Sequence, residues 1–364
     1  MLYNNFKDDK LPALGVGTMR LPLLDEDDAH IDEAKTAEMV EYALNNGVNY
    51  FDTAYMYHKG ESESVMGRVL SKYPRKSFFL ADKFPGFDEK SLKRKEEIFE
   101  DQLKKCKTEY FDYYLIHCVC GSNINLYLDE KFGLVPYLLE QKKNGRIRHL
   151  GFSEHATLPE LERFLEKYGK DMEFCQVQLN YLDYTYQNAK GQVELLKKYN
   201  LPVWVMEPLR GGKLANLEPD YLEKIKAESP NETAVSQAFR FVRSIPEVVV
   251  TLSGMSNFEQ LKNNVEIFSH FTPLSETEKQ TLNQIALDIV KKMALPCTAC
   301  RYCTEKCPQK LDIPTLLTLY GEDKTPTDNG PENCIGCKAC EKVCPQSIKI
   351  SEVMTDFTTR IKNN

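Results

Sequence analysis

Eight of the twelve cysteines fall between Cys297 and Cys344, and they fall twice into one pattern. Cys297, Cys300, Cys303 and Cys307-Pro308 read CxxCxxCxxxCP, and Cys334, Cys337, Cys340 and Cys344-Pro345 repeat it. A thiolate triplet at this spacing wraps three irons of one cubane, while the proline-bearing turn holds the fourth cysteine away, toward a second cubane. The expected chemistry is one-electron transfer through two [4Fe-4S] clusters with crossed ligation. Cys297, Cys300, Cys303 and Cys344 would hold one centre, and Cys334, Cys337, Cys340 and Cys307 the other. Structural zinc needs two CxxC pairs and would leave the third cysteine and the CP element of each run unexplained. A disulfide framework belongs to small secreted chains and does not account for this local density.

A second set of reactive groups stands at the ends of apolar runs. Phe51-Asp52-Thr53-Ala54-Tyr55-Met56-Tyr57 places a carboxylate and a phenol five residues apart, Leu80-Ala81-Asp82-Lys83 ends in an ammonium, and Tyr113-Tyr114-Leu115-Ile116-His117 ends in an imidazole. A phenol of pKa about 10 is a poor acid-base group at neutral pH unless a cation stabilises its phenolate. Lys83 would be that cation, Asp52 would hold the ammonium in place, and His117 would orient a carbonyl or share the proton. Such a site protonates a developing alkoxide while hydride arrives from a cofactor. Taken singly, each residue has an ordinary structural explanation. Together, at three strand ends, they point to one site.

The elements that position these groups follow from pattern. Apolar runs at 50–51, 78–81, 111–117, 149–153, 174–179, 203–206 and 248–252 alternate with segments of helical period, and several lack the alternation of a half-exposed strand. Strands buried on both faces, each followed by a helix, predict an α/β fold: a (β/α)₈ TIM barrel whose reactive groups share the carboxyl-end face. An eighth strand is not evident, and 294–296 is a weak candidate. The alternative, an open doubly wound sheet, needs a glycine-rich phosphate loop after its first strand. Gly15-Val16-Gly17 lacks the third glycine, Arg20 standing there instead, and reads as a turn in an N-terminal hairpin. Helix signals include Asn46-Gly47 as a stop, capping boxes at Thr157/Glu160 and Ser275/Glu278, and Pro314 in the first turn of a short helix at 313–320. Past Met293 cysteine, proline and lysine dominate, so the predicted units are a barrel at 1–295, an iron-sulfur domain at 296–350 and a C-terminal tail at 351–364.

The bulk composition narrows the partners. With 42% hydrophobic and 28% charged residues the 364-residue chain is expected to be a globular protein, and its net charge of -7 gives no support for nucleic acid or an anionic membrane surface. Residues 1–10 lack a signal-peptide core, and no run approaches the ~18 apolar residues of a membrane span. A cytoplasmic location is the expectation.

Residues 296–350 resemble a bacterial-type two-cluster ferredoxin. Residues 10–290 resemble the aldo-keto reductase superfamily, through Phe51-Asp52-Thr53-Ala54 with Tyr57, the strand-end Lys83, Asp112 to His117, Gly145 to Ser153, and Ser253-Gly254 with Asn264. The whole resembles the iron-sulfur-containing branch of that superfamily. The resemblance implies a catalytic tetrad of Asp52, Tyr57, Lys83 and His117 with Tyr57 as proton donor. It also implies NADPH or NADH lying extended across the barrel mouth. Its carboxamide would be held by Ser153 and Gln176, its pyrophosphate lined by Pro208, Leu209, Arg210 and Gly211, and its adenosine end bound by Ser253, Gly254, Gln260 and Asn264. Glu154 stands where many relatives carry asparagine, Glu207 near an aromatic position, and Gln260 where many carry a cation for the 2'-phosphate.

Two functions remain open from sequence. One is an oxidoreductase moving hydride between a nicotinamide and a small carbonyl or alcohol substrate, with single-electron transfer through the clusters. The other is an electron-transfer or redox-sensing module with a redox protein partner, in which the barrel binds a cofactor, a flavin among the candidates, without reducing carbonyls. Cys106, Cys118, Cys120 and Cys175 read as core residues, and His58 and Lys59 as solvated loop residues.

Overall fold

Eight parallel strands close into a barrel in the computed structural model, which describes residues 1–363. After an N-terminal hairpin of β1 (Tyr3–Phe6) and β2 (Asp9–Pro12) come β3 (Leu14–Gly17), β4 (Tyr50–Asp52), β5 (Phe79–Phe84), β6 (Phe111–Val119), β7 (Ile147–Glu154), β8 (Cys175–Gln178), β9 (Val203–Met206) and β10 (Val248–Gly254). The strands follow chain order around the barrel from β3 to β9, and β10 closes it between β9 and β3.

The missing strand is therefore β3, at the start of the barrel and not at 294–296. Gly15-Val16-Gly17, read above as a hairpin turn, is that strand: Val16 pairs with Phe51 on one side and Ser253 on the other. Its brevity and its glycines hide it from a propensity reading, and packing supplies the reason for Gly15. A Cβ there would sit 2.7 Å from Leu252 Cδ2 and 3.1 Å from both Tyr50 and Val250, so the barrel interior has no room for a side chain.

Inside the barrel, Tyr50, Ala81, Tyr113, Leu115, Phe174, Trp204, Val250 and Leu252 form one buried cluster, which Phe6 of the hairpin completes from below. The Phe6 ring meets Trp204 edge-on at 5.0 Å, closing the amino end. Outside, the strands' other faces pack on helices whose ends are set as the sequence predicts. Glu33–Asn45 ends before Gly47 at φ 80°, and Leu158–Tyr168 and Glu276–Lys292 start at the Thr157/Glu160 and Ser275/Glu278 capping boxes.

The cysteine-rich segment carries three helices, Tyr302–Glu305, Ile313–Gly321 and Ile350–Asn363. Leu311, Leu316, Leu317, Ile348, Met354 and Phe357 pack with Cys303, Cys340 and Cys344 into its own core. The stretch set apart as a tail beyond residue 350 thus contributes a helix to that core. The segment lies over the barrel mouth. Arg210 Nη2 donates to Pro296 O (3.3 Å), Arg210 Nη1 to Cys297 O (3.5 Å), and Gln346 Nε2 to Gln178 Oε1 (3.2 Å). Gly211, at φ 65°, passes beneath it so closely that a Cβ would come within 2.5 Å of Thr298 O.

Candidate active site

Asp52 ends β4, Lys83 lies near the end of β5, and His117 lies near the end of β6, so successive parallel strands deliver all three to one rim. Tyr57 follows in the turn Tyr57–Gly60. Lys83 Nζ donates to Asp52 Oδ1 (2.5 Å), to Thr53 O (2.8 Å) and to Tyr57 Oη (3.3 Å), which uses all three of its donors. Tyr57 meets the His117 ring edge-on at 6.1 Å. All four side chains are buried.

Burial decides the protonation states. It opposes the Lys83 charge, but Asp52 and Tyr57 outweigh it and hold the lysine pKa above its ordinary value. Burial raises the Tyr57 phenol above its ordinary value, against the pull of Lys83, so Tyr57 keeps its proton at neutral pH. His117 is pushed well below the usual histidine range, first by burial and then by Lys83, and is a neutral imidazole. Its Nδ1 and Asp52 Oδ2 are buried without a hydrogen-bond partner among the described residues. The arrangement is a protonated phenol braced by a fixed cation, with a neutral imidazole beside it.

The tetrad, Ser153 and Gln176 line one cleft at the barrel mouth. Ser153 Oγ accepts from Cys118 N (2.7 Å), and Gln176 Oε1 is buried and unpartnered among the described residues. Pro208, Leu209, Gly211, Ser253, Gly254, Gln260 and Asn264 line a second cavity of about 990 Å³. Arg20, Glu207, Leu252 and Gly254 border both, so the two spaces adjoin along the rim. Asn264 Nδ2 donates to Ser253 Oγ (3.1 Å), whereas Gln260 Oε1 accepts from Ser256 N (2.8 Å) and shapes the loop.

One expected cofactor contact is not there. Arg210 turns away from both cavities and is fully buried against Asp183, its Nε donating to Oδ1 (3.0 Å) and Oδ2 (3.1 Å). Its place at the junction is taken by Arg20, whose Nη2 is 3.6 Å from Glu207 Oε1 and makes no hydrogen bond among the described residues. Glu207 thus faces Arg20 and not Arg210. Glu154 is buried, its Oε2 accepting from Ala156 N (2.8 Å), and burial pushes its carboxyl up to about 8.

Other residues depart from expectation or were not foreseen. His58 is buried, not solvated: at φ 54° its ring folds inward, Nε2 accepting from Leu21 N (3.1 Å). Lys59 is exposed and pairs with Asp27 (2.7 Å). Cys106, Cys118, Cys120 and Cys175 are buried free thiols. His155, Thr298 and Tyr302 also line the tetrad cleft. No periodicity marks them, because they come from a loop and from the second domain.

The cysteine domain brings its sulfurs into two groups. Cys307, Cys334, Cys337 and Cys340 line one cavity of about 350 Å³. Around the other, burial and then the neighbouring sulfurs of Cys344 and Cys297 push the Cys303 thiol up to about 12, and Cys300 feels Cys303 and Cys344 in the same sense. Cysteine sulfurs gathered in this way are a donor set suited to iron-sulfur chemistry. Among the described residues no three His, Cys, Asp or Glu groups close on a point as one metal ion requires.

A parallel barrel with these four side chains at its carboxyl-end mouth, roofed by a cysteine-rich domain, defines an oxidoreductase. The aldo/keto reductase family model matches residues 13–287, and the chain belongs to that family. A 4Fe-4S dicluster domain model matches residues 296–348, so the protein is an aldo/keto reductase with a C-terminal 4Fe-4S dicluster domain. The uncharacterized oxidoreductase YqkF of Bacillus subtilis is 21% identical over 314 residues, 78% of this chain and 96% of that protein. Methylglyoxal reductase DkgB of Salmonella typhimurium is 31% identical over 164 residues, 44% of this chain and 54% of that protein, so the match spans about half of it. An aldo-keto reductase of Klebsiella pneumoniae, solved in complex with NADPH, shares the fold with a TM-score of 0.62 at 18% identity, over 79% of this chain and 96% of that one. Among the described residues no helix is long and apolar enough to cross a membrane.

Proposed function

We propose that the barrel reduces a small carbonyl compound, with a reduced nicotinamide nucleotide extended through the two adjoining cavities. The observation that carries this reading is the Asp52–Lys83–Tyr57 chain of contacts at the floor of the cleft, with Lys83 Nζ 2.5 Å from the carboxylate and 3.3 Å from the phenol. The bound nicotinamide supplies the hydride. Tyr57 gives its proton to the alkoxide that develops, and Lys83 stabilises the phenolate left behind while Asp52 keeps the ammonium from drifting. Neutral His117 orients the carbonyl oxygen. Ser153 and Gln176 would hold the carboxamide, Gln176 through its unpartnered oxygen.

Along the rim, Pro208, Leu209 and Gly211 would flank the pyrophosphate, with Arg20 as its cation. Ser253, Gly254, Gln260 and Asn264 surround the adenosine end. The NADPH bound by the Klebsiella relative and the reductase activity in the name of DkgB support the cofactor and substrate class. In the roof we assign crossed [4Fe-4S] ligation, with Cys297, Cys300, Cys303 and Cys344 as one set and Cys334, Cys337, Cys340 and Cys307 as the other. When bound, these clusters supply one-electron steps.

The test is carbonyl reduction by the wild type and Tyr57→Phe. The wild type consumes reduced nicotinamide with an aldehyde such as methylglyoxal, and the variant loses at least a hundredfold in kcat, within the ~10²–10⁴-fold typical of a positioned acid. A variant as active as the wild type would refute the assignment.

A further inference from the structure

The tetrad does not close its own site. Tyr302, between Cys300 and Cys303 of the first cysteine motif, is buried at 8% exposure and packs with Tyr57 and Ala54 in a small cluster edged by Met19, Cys300 and Val343. Its ring stands edge-on to His117 (6.3 Å, 87°) and to Phe87 (6.2 Å, 60°), and Phe87 meets His117 at 5.4 Å. Tyr302 also lines a neighbouring cavity of about 920 Å³ on the far side of Tyr57, bounded by Leu23 and Met56. It therefore stands as the wall that both spaces share with the proton donor.

What places Tyr302 is the conformation of its loop. Ala299 (φ 55°) and Arg301 (φ 63°) are both left-handed without being glycine. Such residues persist where the surroundings over-determine them. Cys297, Cys300 and Cys303 flank them in sequence, and a metal centre holding all three would be that constraint. The loop is also tied to the barrel through the Arg210 bonds to Pro296 and Cys297.

We propose that Tyr302 is a positioning residue for Tyr57 and His117, so that assembly of the first cluster, by fixing loop 297–303, completes the reducing site of the barrel. The inference rests on the carbonyl-reduction reading of the tetrad. The coupling is mechanical: the cluster acts by holding a wall in place, and no electron has to pass between the domains for it to operate. An aromatic ring at this position is the requirement, since the ring makes the contacts to His117 and Phe87.

The test compares Tyr302→Ala, Tyr302→Phe and Cys303→Ala, with iron content measured for each. Tyr302→Ala is expected to keep about eight irons and its nucleotide affinity within twofold, yet to lose at least tenfold in kcat. Tyr302→Phe restores kcat to within threefold of wild type. Cys303→Ala, stripped of one cluster, shows the same loss in kcat as Tyr302→Ala. Tyr302→Ala with full iron and wild-type kcat, or Cys303→Ala with unimpaired kcat, would overturn the proposal. A second readout does not depend on turnover: the [13C]tyrosine NMR signal of Tyr57, assigned through its loss in Tyr57→Phe, shifts in Tyr302→Ala and returns in Tyr302→Phe. If wild type reduces no carbonyl while this signal still shifts, the functional reading fails and the positioning role stands. An unmoved signal refutes the positioning role itself.

Discussion

Replacing Arg210 with leucine separates two roles that the sequence cannot tell apart. Beside the glycines of the rim, Arg210 looks like a pyrophosphate ligand; in the fold it is a fully buried partner of Asp183 that also donates to the backbone of the second domain. Removing one member of a buried ion pair costs about 3–5 kcal/mol, because the other charge is left uncompensated. Here Asp183 Oδ2 retains the amides of Gln178 and Asn180, each at 2.8 Å, which places the cost near the lower bound, at about 3 kcal/mol. At roughly 2–4 °C per kcal/mol for a domain of 150–250 residues, the expected fall in Tm is about 6–12 °C. Circular dichroism melts of Arg210→Leu measure it, and NADPH binding measured below the transition is expected to change less than threefold. Arg20→Leu behaves in the opposite way, losing at least tenfold in nucleotide affinity while its Tm moves little. An Arg210→Leu protein that melts within 2 °C of wild type but binds NADPH tenfold more weakly would refute this account of the buried pair.

Two further outcomes follow from groups outside the tetrad. Asp82 is fully buried, and burial together with the adjacent Glu63 charge raises its pKa well above the usual carboxylate range; it is therefore protonated in the fold at pH values where the unfolded chain has lost that proton. Because the folded state holds the extra proton, this group's contribution is complete below the unfolded pKa of about 3.9 and is lost as pH rises toward the folded value. Asp82→Asn is expected to flatten the decline of Tm between pH 5 and 8, and an unchanged slope would count against a carboxyl kept protonated by burial. The crossed ligand sets are tested by combining cysteine variants. Cys344→Ser and Cys300→Ser each leave about four of about eight irons, and the double variant still keeps about four, because both residues serve one cluster. Loss of all iron from the double variant would mean that each motif holds its own cluster.

How far the sequence could be read depended on whether a residue's role lay in its local pattern. Asp52, Lys83 and His117 were recognisable because each closes an apolar run, and a parallel barrel sends all such ends to one face. The cysteines carry their spacing with them, and the capping boxes at Thr157 and Ser275 depend only on residues three apart. β3 was misread because four residues with two glycines have no propensity of their own; neighbours on both sides make them a strand. Arg210 and Arg20 differ in which way a side chain turns, a matter settled by Asp183 and Glu207 from distant parts of the chain. His58 failed for a related reason, since a left-handed backbone at φ 54° folds into the interior a ring that its polar neighbours mark as solvated. Tyr302 left no trace because an aromatic inside a metal loop has no period to match.

The closure of the barrel by β10 against β3 also sets an order of events during synthesis. Leu14 finds its partner only when Thr251 has been made, so the ring cannot seal until most of the polypeptide has left the ribosome, and pairings this distant in sequence are slow to form. Both cysteine motifs emerge after that point. On the proposed crossed ligation, neither cluster would have its full set of sulfurs until the second motif is out: one would wait for Cys340, the other for Cys344. On that assignment iron loading would be a late maturation step, beginning only after the whole barrel sequence has been made.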